Sequence, residues 1–298
     1  TKDVAENVSS AAAVATINYS TTLPGAPTLA LDDATTGLTT HIRQAAARLT
    51  IGADGTATKW CVSETQVARP ALGTSACGGG QGASNGWHTA RPTSFDTSVG
   101  DGSKTVYLWI ADAANNVSST SATDSINRDE TPPALPAVSM SDPNTGSVTD
   151  TNVAGVNLSI TGDTDAIAWC VIEKALADTP PAAPLFNDVC FVSTEPTTKT
   201  LAFTGNRKVY VYTKDIAQNV SASAATAAIN YSTTVPADPL LALSDATTSS
   251  TSHIRQLAVG LSITNDLNAV KWCVSQTQTT APALGTAACA GGRARPAA

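Results

Sequence analysis

The sequence predicts an all-β chain of tandem antiparallel β-sandwich domains, each of about 105 residues, joined in a linear string. Three observations predict it. The 298-residue chain repeats itself, its apolar residues alternate with period two, and turn signals separate the alternating runs.

The repeat comes first, because it sets the frame for everything else. Residues 1–80 align without a gap onto 213–292, with roughly 50 of the 80 positions identical by direct count. Shared blocks include Ile17 to Thr22 with Ile229 to Thr234, His41-Ile42-Arg43-Gln44 with His253 to Gln256, and Lys59-Trp60-Cys61-Val62 with Lys271 to Val274. A more divergent copy lies between, marked by Ala168-Trp169-Cys170-Val171. Pro-rich joints phase the units: Thr22-Leu23-Pro24-Gly25-Ala26-Pro27, Glu130-Thr131-Pro132-Pro133 and Thr234-Val235-Pro236-Ala237-Asp238-Pro239. Such joints are short and stiff. The resulting segments are 1–19, the final strand region of a preceding unit; 20–127 and 128–231, two full units; and 232–298, a truncated unit. The last segment has no counterpart of Val106-Tyr107-Leu108-Trp109-Ile110, so the chain reads as an excerpt from a longer array.

Along each unit the strands follow from alternation. Gln44 to Leu49 taken alone favours a helix, but its sister at 256–261 is β-branched and Gly-interrupted, which assigns both to strands. Val156, Leu158 and Ile160 alternate with polar neighbours, as do Leu257, Val259, Leu261 and Ile263. Thr105 to Ile110 and Lys208 to Tyr212 read as half-buried strands of the same kind. Turns are marked by Gly52-Ala53-Asp54-Gly55, Gly100-Asp101-Gly102, Thr161 to Asp165 and Asn265-Asp266. About seven short strands per unit, with turns every 8 to 12 residues, give immunoglobulin-like topology.

The run Gly100 to Trp109, followed by Asp112-x-Ala114-x-Asn116-Val117-Ser118, resembles the closing hairpin of bacterial immunoglobulin-like repeats. The Asp-x-Ala-x-Asn stretch recurs at Asp3 to Ser9 and at Asp215 to Ser221. The resemblance implies tandem modules of large secreted adhesins and cell-surface proteins. The family often has Gly just before the Asn, where this chain has Glu6, Asn115 and Gln218.

Composition narrows the function classes. Charged residues are only 14%, aromatics 5%, and the net charge is -7. No basic cluster longer than Arg293-Ala294-Arg295 exists to track phosphates, which excludes nucleic acid as a partner. No apolar run reaches the length of a membrane helix.

Six cysteines fall in repeated positions, and the pairs Cys61/Cys77, Cys170/Cys190 and Cys273/Cys289 enclose 15, 19 and 15 residues. Each first cysteine follows the strand Trp, so Trp60 enters the core while Cys61 faces outward as a surface staple, worth about 3 kcal/mol by loop closure. Zinc spacings are absent, and disulfides imply an extracellular or cell-surface location.

Other candidates carry weaker signals. Asp112 with Asn116, and Asp215 with Asn219, could ligate calcium; equally, Asp and Asn hydrogen-bond their own turns. No other cofactor is implied. Gly82-Ala83-Ser84-Asn85-Gly86 with nearby His88 fits a nucleophile pattern but lacks the strand–helix context, so no enzyme activity is expected. Trp87, His88 and Arg91 form an aromatic-plus-polar patch whose leading reading is core packing or loop filling, with binding of a surface glycan as the alternative. Six Asn-x-Ser sequons occur, at Asn7, Asn18, Asn116, Asn157, Asn219 and Asn230. The expected function is a structural repeat segment of an extracellular stalk, filament or adhesin, whose partners are neighbouring units. The alternatives are a carbohydrate- or surface-binding adhesive module, or a filament subunit in which residues 3–19 complete another chain's 232–298 unit.

Overall fold

The computed structural model describes residues 1–73, 76–78, 86–277, 280–281 and 289. Among these residues every regular element is a strand, and no helix is long and apolar enough to cross a membrane.

Residues 28–128 supply eight strands: β1 (Thr28–Asp33), β2 (His41–Ile42), β3 (Ala46–Gly52), β4 (Lys59–Ser63), β5 (Trp87–His88), β6 (Ser94–Asp96), β7 (Gly102–Ala111) and β8 (Ala122–Arg128). They form two sheets, ordered β1-β3-β6 and β2-β8-β7-β4-β5. Alternation puts Leu31, Leu49 and Ile51 on one inner face and Trp60, Val62, Val106, Leu108, Ile110 and Ile126 on the other, with Phe95 of β6 wholly buried between them. The second strand pairs with the eighth, the third with the first and sixth, and the fourth with the fifth and seventh, which divides the strands into the two layers of an immunoglobulin-like sandwich. The run containing Gln44 to Leu49 is strand from Ala46 onward, in register Leu31↔Leu49 with β1.

Residues 137–231 repeat the plan with β9 (Ala137–Ser141), β10 (Asp150–Thr151), β11 (Gly155–Thr161), β12 (Ala168–Ala175), β13 (Phe191–Val192), β14 (Thr198–Thr200), β15 (Gly205–Lys214) and β16 (Ala225–Tyr231). The sheets are β14-β11-β9 and β10-β16-β15-β12-β13. β11 keeps Val156, Leu158 and Ile160 buried with exposed residues between them. Residues 240–264 give only β17 (Leu240–Asp245) and β18 (Val259–Thr264), a two-stranded sheet in register Leu243↔Leu261.

Two features depart from the sequence expectation. Each sandwich contains one parallel pairing, β2 with β8 and β10 with β16, because the chain crosses from the small sheet to the large one just after its first strand. The central strands are also not half-buried. In β7 the run Leu108 to Ala111 is buried on both faces, since a second apolar cluster covers the outside of the sheet.

Candidate functional site

That outer cluster is built around the disulfides. The structure joins Cys61 to Cys77, Cys170 to Cys190 and Cys273 to Cys289. Trp60 and Cys61 point to opposite faces, as alternation requires, but Cys61 is 0% exposed. The bridge is therefore not a surface staple. The segment carrying Cys77 folds back over the sheet, and Cys61, Cys77, Trp109, Ala111 and Val117 pack beneath it with Trp87. In the second sandwich Cys170, Tyr210 and Tyr212 take these places, with Phe191 and Val220 beside them. A polar tie accompanies each apolar one: Trp109 Nε1 donates to the Gln66 carbonyl at 2.8 Å, and Lys214 Nζ to the Phe186 carbonyl at 2.8 Å.

The glycan candidates belong to this framework. Trp87 is half-buried against the disulfide cluster and lies opposite Cys61 in the β4–β5 register, while His88 lies opposite Trp60. Arg91 binds Asp54 through Nε at 2.9 Å and reaches the Ile51 carbonyl. The same Asp54 accepts the Trp60 indole N–H at 2.8 Å. Trp87 and Arg91 thus make separate contacts, one with the disulfide cluster and one with Asp54. Residues 82–85 of the nucleophile pattern, Ser84 among them, and Arg293 and Arg295 lie outside the described residues.

The calcium candidates sit in turns that satisfy themselves. Asp112 Oδ1 accepts the backbone N–H groups of Ala114 (2.9 Å) and Asn116 (2.8 Å), and Oδ2 accepts Asn116 Nδ2 at 3.0 Å. Asp215 and Asn219 repeat the arrangement, and Asp3 and Asn7 do so in the first segment. Both carboxylate oxygens therefore face N–H donors, the chemistry of a turn rather than of a hard cation's cage. Among the described residues no group of three or more His, Cys, Asp and Glu side chains could hold a metal. The residue before each Asn is left-handed, with φ of 65° at Glu6, 67° at Asn115 and 72° at Gln218. This accounts for the Gly of the resembling family at that position.

The remaining amide proton of the Asn has a different task. Asn116 Nδ2 donates to the Ser20 carbonyl at 3.0 Å, and Asn219 Nδ2 to the Asp129 carbonyl at 2.8 Å. Ser20 and Asp129 are equivalent residues, each just past the Ile-Asn-x that closes a unit. The closing turn of one unit thus grips the chain entering it from the previous unit. Asp215 is 3% exposed, and its carboxyl is raised above the ordinary range, chiefly by burial and further by the Asp129 charge.

Sequence reasoning missed a second recurrent Asp. Asp33, Asp142 and Asp245 are all buried at the end of the first strand of each unit. Asp33 Oδ1 accepts the N–H groups of Thr35 and Thr36, and Oδ2 that of Arg43. Asp142 receives Asn144 N, Thr145 N and the Thr151 hydroxyl, and Asp245 receives Thr247 N, Thr248 N and Arg255 N. Burial alone would raise Asp142, but its hydrogen bonds outweigh that and bring it to about 2. Asp245 is likewise lowered to about 2 by the N–H groups of Arg255, Thr248 and Thr247. The signal was present as Asp33-Ala34-Thr35-Thr36, Asp142-Pro143-Asn144-Thr145 and Asp245-Ala246-Thr247-Thr248. A second missed signal is an Asp six residues before each Trp: Asp163 pairs with Trp169 and Asp266 with Trp272, as Asp54 does with Trp60.

No protein-family model matches the chain, and no curated protein matches it. Among solved structures it is similar to the fibronectin(III)-like modules of Clostridium thermocellum CbhA. That match has 11% identity and a TM-score of 0.37, and covers 68% of this chain and 93% of the other.

Proposed function

We propose that the chain is a structural spacer: a linear string of β-sandwich units, about 105 residues each, from an extracellular or cell-surface stalk, filament or adhesin. The observation that carries this reading is the repeated grip of Asn116 on Ser20 and of Asn219 on Asp129. A contact that recurs at equivalent residues of two successive joints supports a chain whose partners are its own neighbouring units. Three disulfides suit an oxidising compartment, and the bridge between Cys61 and Cys77, with both cysteines buried, is shielded from reductants. Trp87 and Arg91 already have structural partners, which favours the spacer over a glycan-binding module. Catalysis forms no part of the proposal. Small-angle scattering from the full chain tests it. The expected profile is that of an elongated particle several domain diameters long; a compact particle with units packed side by side would overturn the reading.

A further inference from the structure

The spacer reading treats all joints alike, but the two joints of this chain are built differently. Residues 126–131 read Ile-Asn-Arg-Asp-Glu-Thr, whereas 229–234 read Ile-Asn-Tyr-Ser-Thr-Thr, the same six residues as 17–22. Both kinds share one backbone bond, Asp129 N to the Ile42 carbonyl at 2.9 Å and Ser232 N to the Thr151 carbonyl at 3.0 Å. The Asn grip is also common to both kinds, since it holds Asp129 in one and Ser20 in the other.

The joint at 128–131 adds three further ties. Asp101 accepts the Glu130 N–H at 2.8 Å and the Thr131 hydroxyl, fixing the linker to the first unit. Arg128 Nη2 pairs with Glu130 at 2.8 Å. Across the joint, the Arg43 guanidinium of the first unit lies over the Phe186 ring of the second, 4.2 Å from its centroid. Phe186 belongs to the loop closed by Cys170 and Cys190, so the disulfide anchors the receiving surface.

The four charged groups of these ties are replaced at the other joint, while Thr131 is kept as Thr234. Aligning Gly205, which opens β15, with Gly102, which opens β7, puts Thr204 at the position of Asp101. Asn152 stands for Arg43, Tyr231 for Arg128 and Thr233 for Glu130. No charge remains to make the ties, and the 212-residue repeat carries the same uncharged joint at 19–22 and 231–234.

We infer that the mechanical repeat is a pair of units, the first of each pair clamped onto the second, with looser joints between pairs. This inference rests on the spacer reading and adds a period to it: stiff and compliant joints alternate, so bending concentrates at every second joint. The Asp101 and Glu130 carboxylates of the clamp are exposed, so high salt weakens it, while the Arg128 side chain is buried at 6% exposure.

Thr50, Ser159 and Ser262 are equivalent exposed strand positions in the three units, so distances between them compare like with like. Non-canonical nitroxide amino acids there leave the native disulfides intact in the full chain. Pulsed dipolar spectroscopy should give a narrower distance distribution for 50–159 than for 159–262. Arg43→Ala with Asp101→Ala should broaden the 50–159 distribution, raising the bent population roughly two- to fivefold, the change expected from losing one exposed cation–π contact. Near-UV circular dichroism of the double variant should match the parent. Because the described residues of the third unit form one two-stranded sheet, the deciding arm is the first pair: a 50–159 width that is unchanged in the double variant, or no narrower than 159–262 in the parent, overturns the alternation. Failure of the spacer reading would look different, as short mean distances in both pairs whatever their widths.

Discussion

Residues 28–60 and 240–272 are close copies in sequence, yet they end in opposite environments. Leu31, Leu49 and Trp60 are 1%, 6% and 9% exposed, while their counterparts Leu243, Leu261 and Trp272 are 49%, 50% and 55% exposed. The first pair of strands forms in both, β1 with β3 and β17 with β18 in the same antiparallel register, whereas the residues equivalent to β2 and β4 are not strand in the second copy. So do the turns: Asp33 and Asp245 are 0% and 1% exposed and accept the same set of backbone N–H groups. Hydrogen bonds within ten residues are thus written locally and survive anywhere. Burial of the apolar face is not local. It is supplied by β7 and β8, more than 50 residues further along the first unit, and 232–298 has no sequence counterpart of them.

The largest test of this comparison is amide hydrogen exchange on the intact chain. Burying Leu49 and Ile51 together with Ala47 stabilises β3 by an upper estimate of about 3–6 kcal/mol, whereas a lone two-stranded hairpin is marginal. Amides of β3 should therefore exchange more slowly than those of β18 by on the order of 5 kcal/mol, more than a thousandfold in rate. Equal protection in the two would mean that the open face of β17 and β18 is covered in solution.

How much was legible in the sequence follows the same division. Alternation within β11 and the sister sequence at 256–261 were enough to place strands, because period two is a local property. The recurrent Trp-Cys pair predicted opposite faces correctly. What it could not show was that the outer face would be buried too, since that depends on how the Cys77 segment folds back over Trp109. The Asp-x-Ala-x-Asn turn was visible, and its hydrogen-bonding alternative to calcium was stated, but the third partner of Asn219 is a carbonyl 90 residues away. That Trp87 would stand beside Cys61 in the sheet was not legible either, because the two are distant in sequence.

A sharper comparison uses one acidic position. Glu173, buried in the second unit, pairs with Arg207 at 2.7 Å, with side chains 7% and 11% exposed, and accepts the Ala202 N–H. Gln276 occupies the same place in the open unit. Glu173→Ala should cost about 3–5 kcal/mol, because it leaves a buried guanidinium without its counter-charge. Gln276→Ala should stay within about 0.5 kcal/mol. Chemical denaturation followed by unit-specific NMR signals reads both; a small loss at Glu173 would mean that Arg207 finds solvent.

The buried Asp turns should respond to acid. The carboxyl of Asp142 sits at about 2 in the folded chain, below the unfolded value of about 3.9. The folded state therefore binds fewer protons between those values, so the turn's contribution is complete above about pH 4 and is lost as the pH falls through about 2. Asp142→Asn should lower the stability of the second unit by about 1–2 kcal/mol at neutral pH, and the gap between variant and parent should close as the pH falls from 4 to 2. A gap that stays constant with pH would assign the effect to packing of the amide rather than to the charge.

The smallest expected effect concerns the left-handed residue before each joint Asn, where one turn is built three times with three different side chains. A non-Gly residue at φ of 72° costs Gln218 about 1 kcal/mol. Glycine removes that strain but returns about 0.4–1 kcal/mol as extra freedom of the unfolded chain. Gln218→Gly should therefore stabilise the second unit by no more than about 0.5 kcal/mol. Asn115 differs in two ways: Asn tolerates the left-handed region, and its Oδ1 accepts the Lys59 ammonium at 2.7 Å. Asn115→Gly should accordingly destabilise the first unit by about 0.5–1 kcal/mol. Glu6 has the same backbone, but no sandwich in this chain depends on its turn, so Glu6→Gly should leave both melting transitions where they are. Thermal denaturation of the three variants separates the cases. A loss above about 1 kcal/mol in Gln218→Gly would show that the side chain, rather than the backbone angle, holds the closing turn in place.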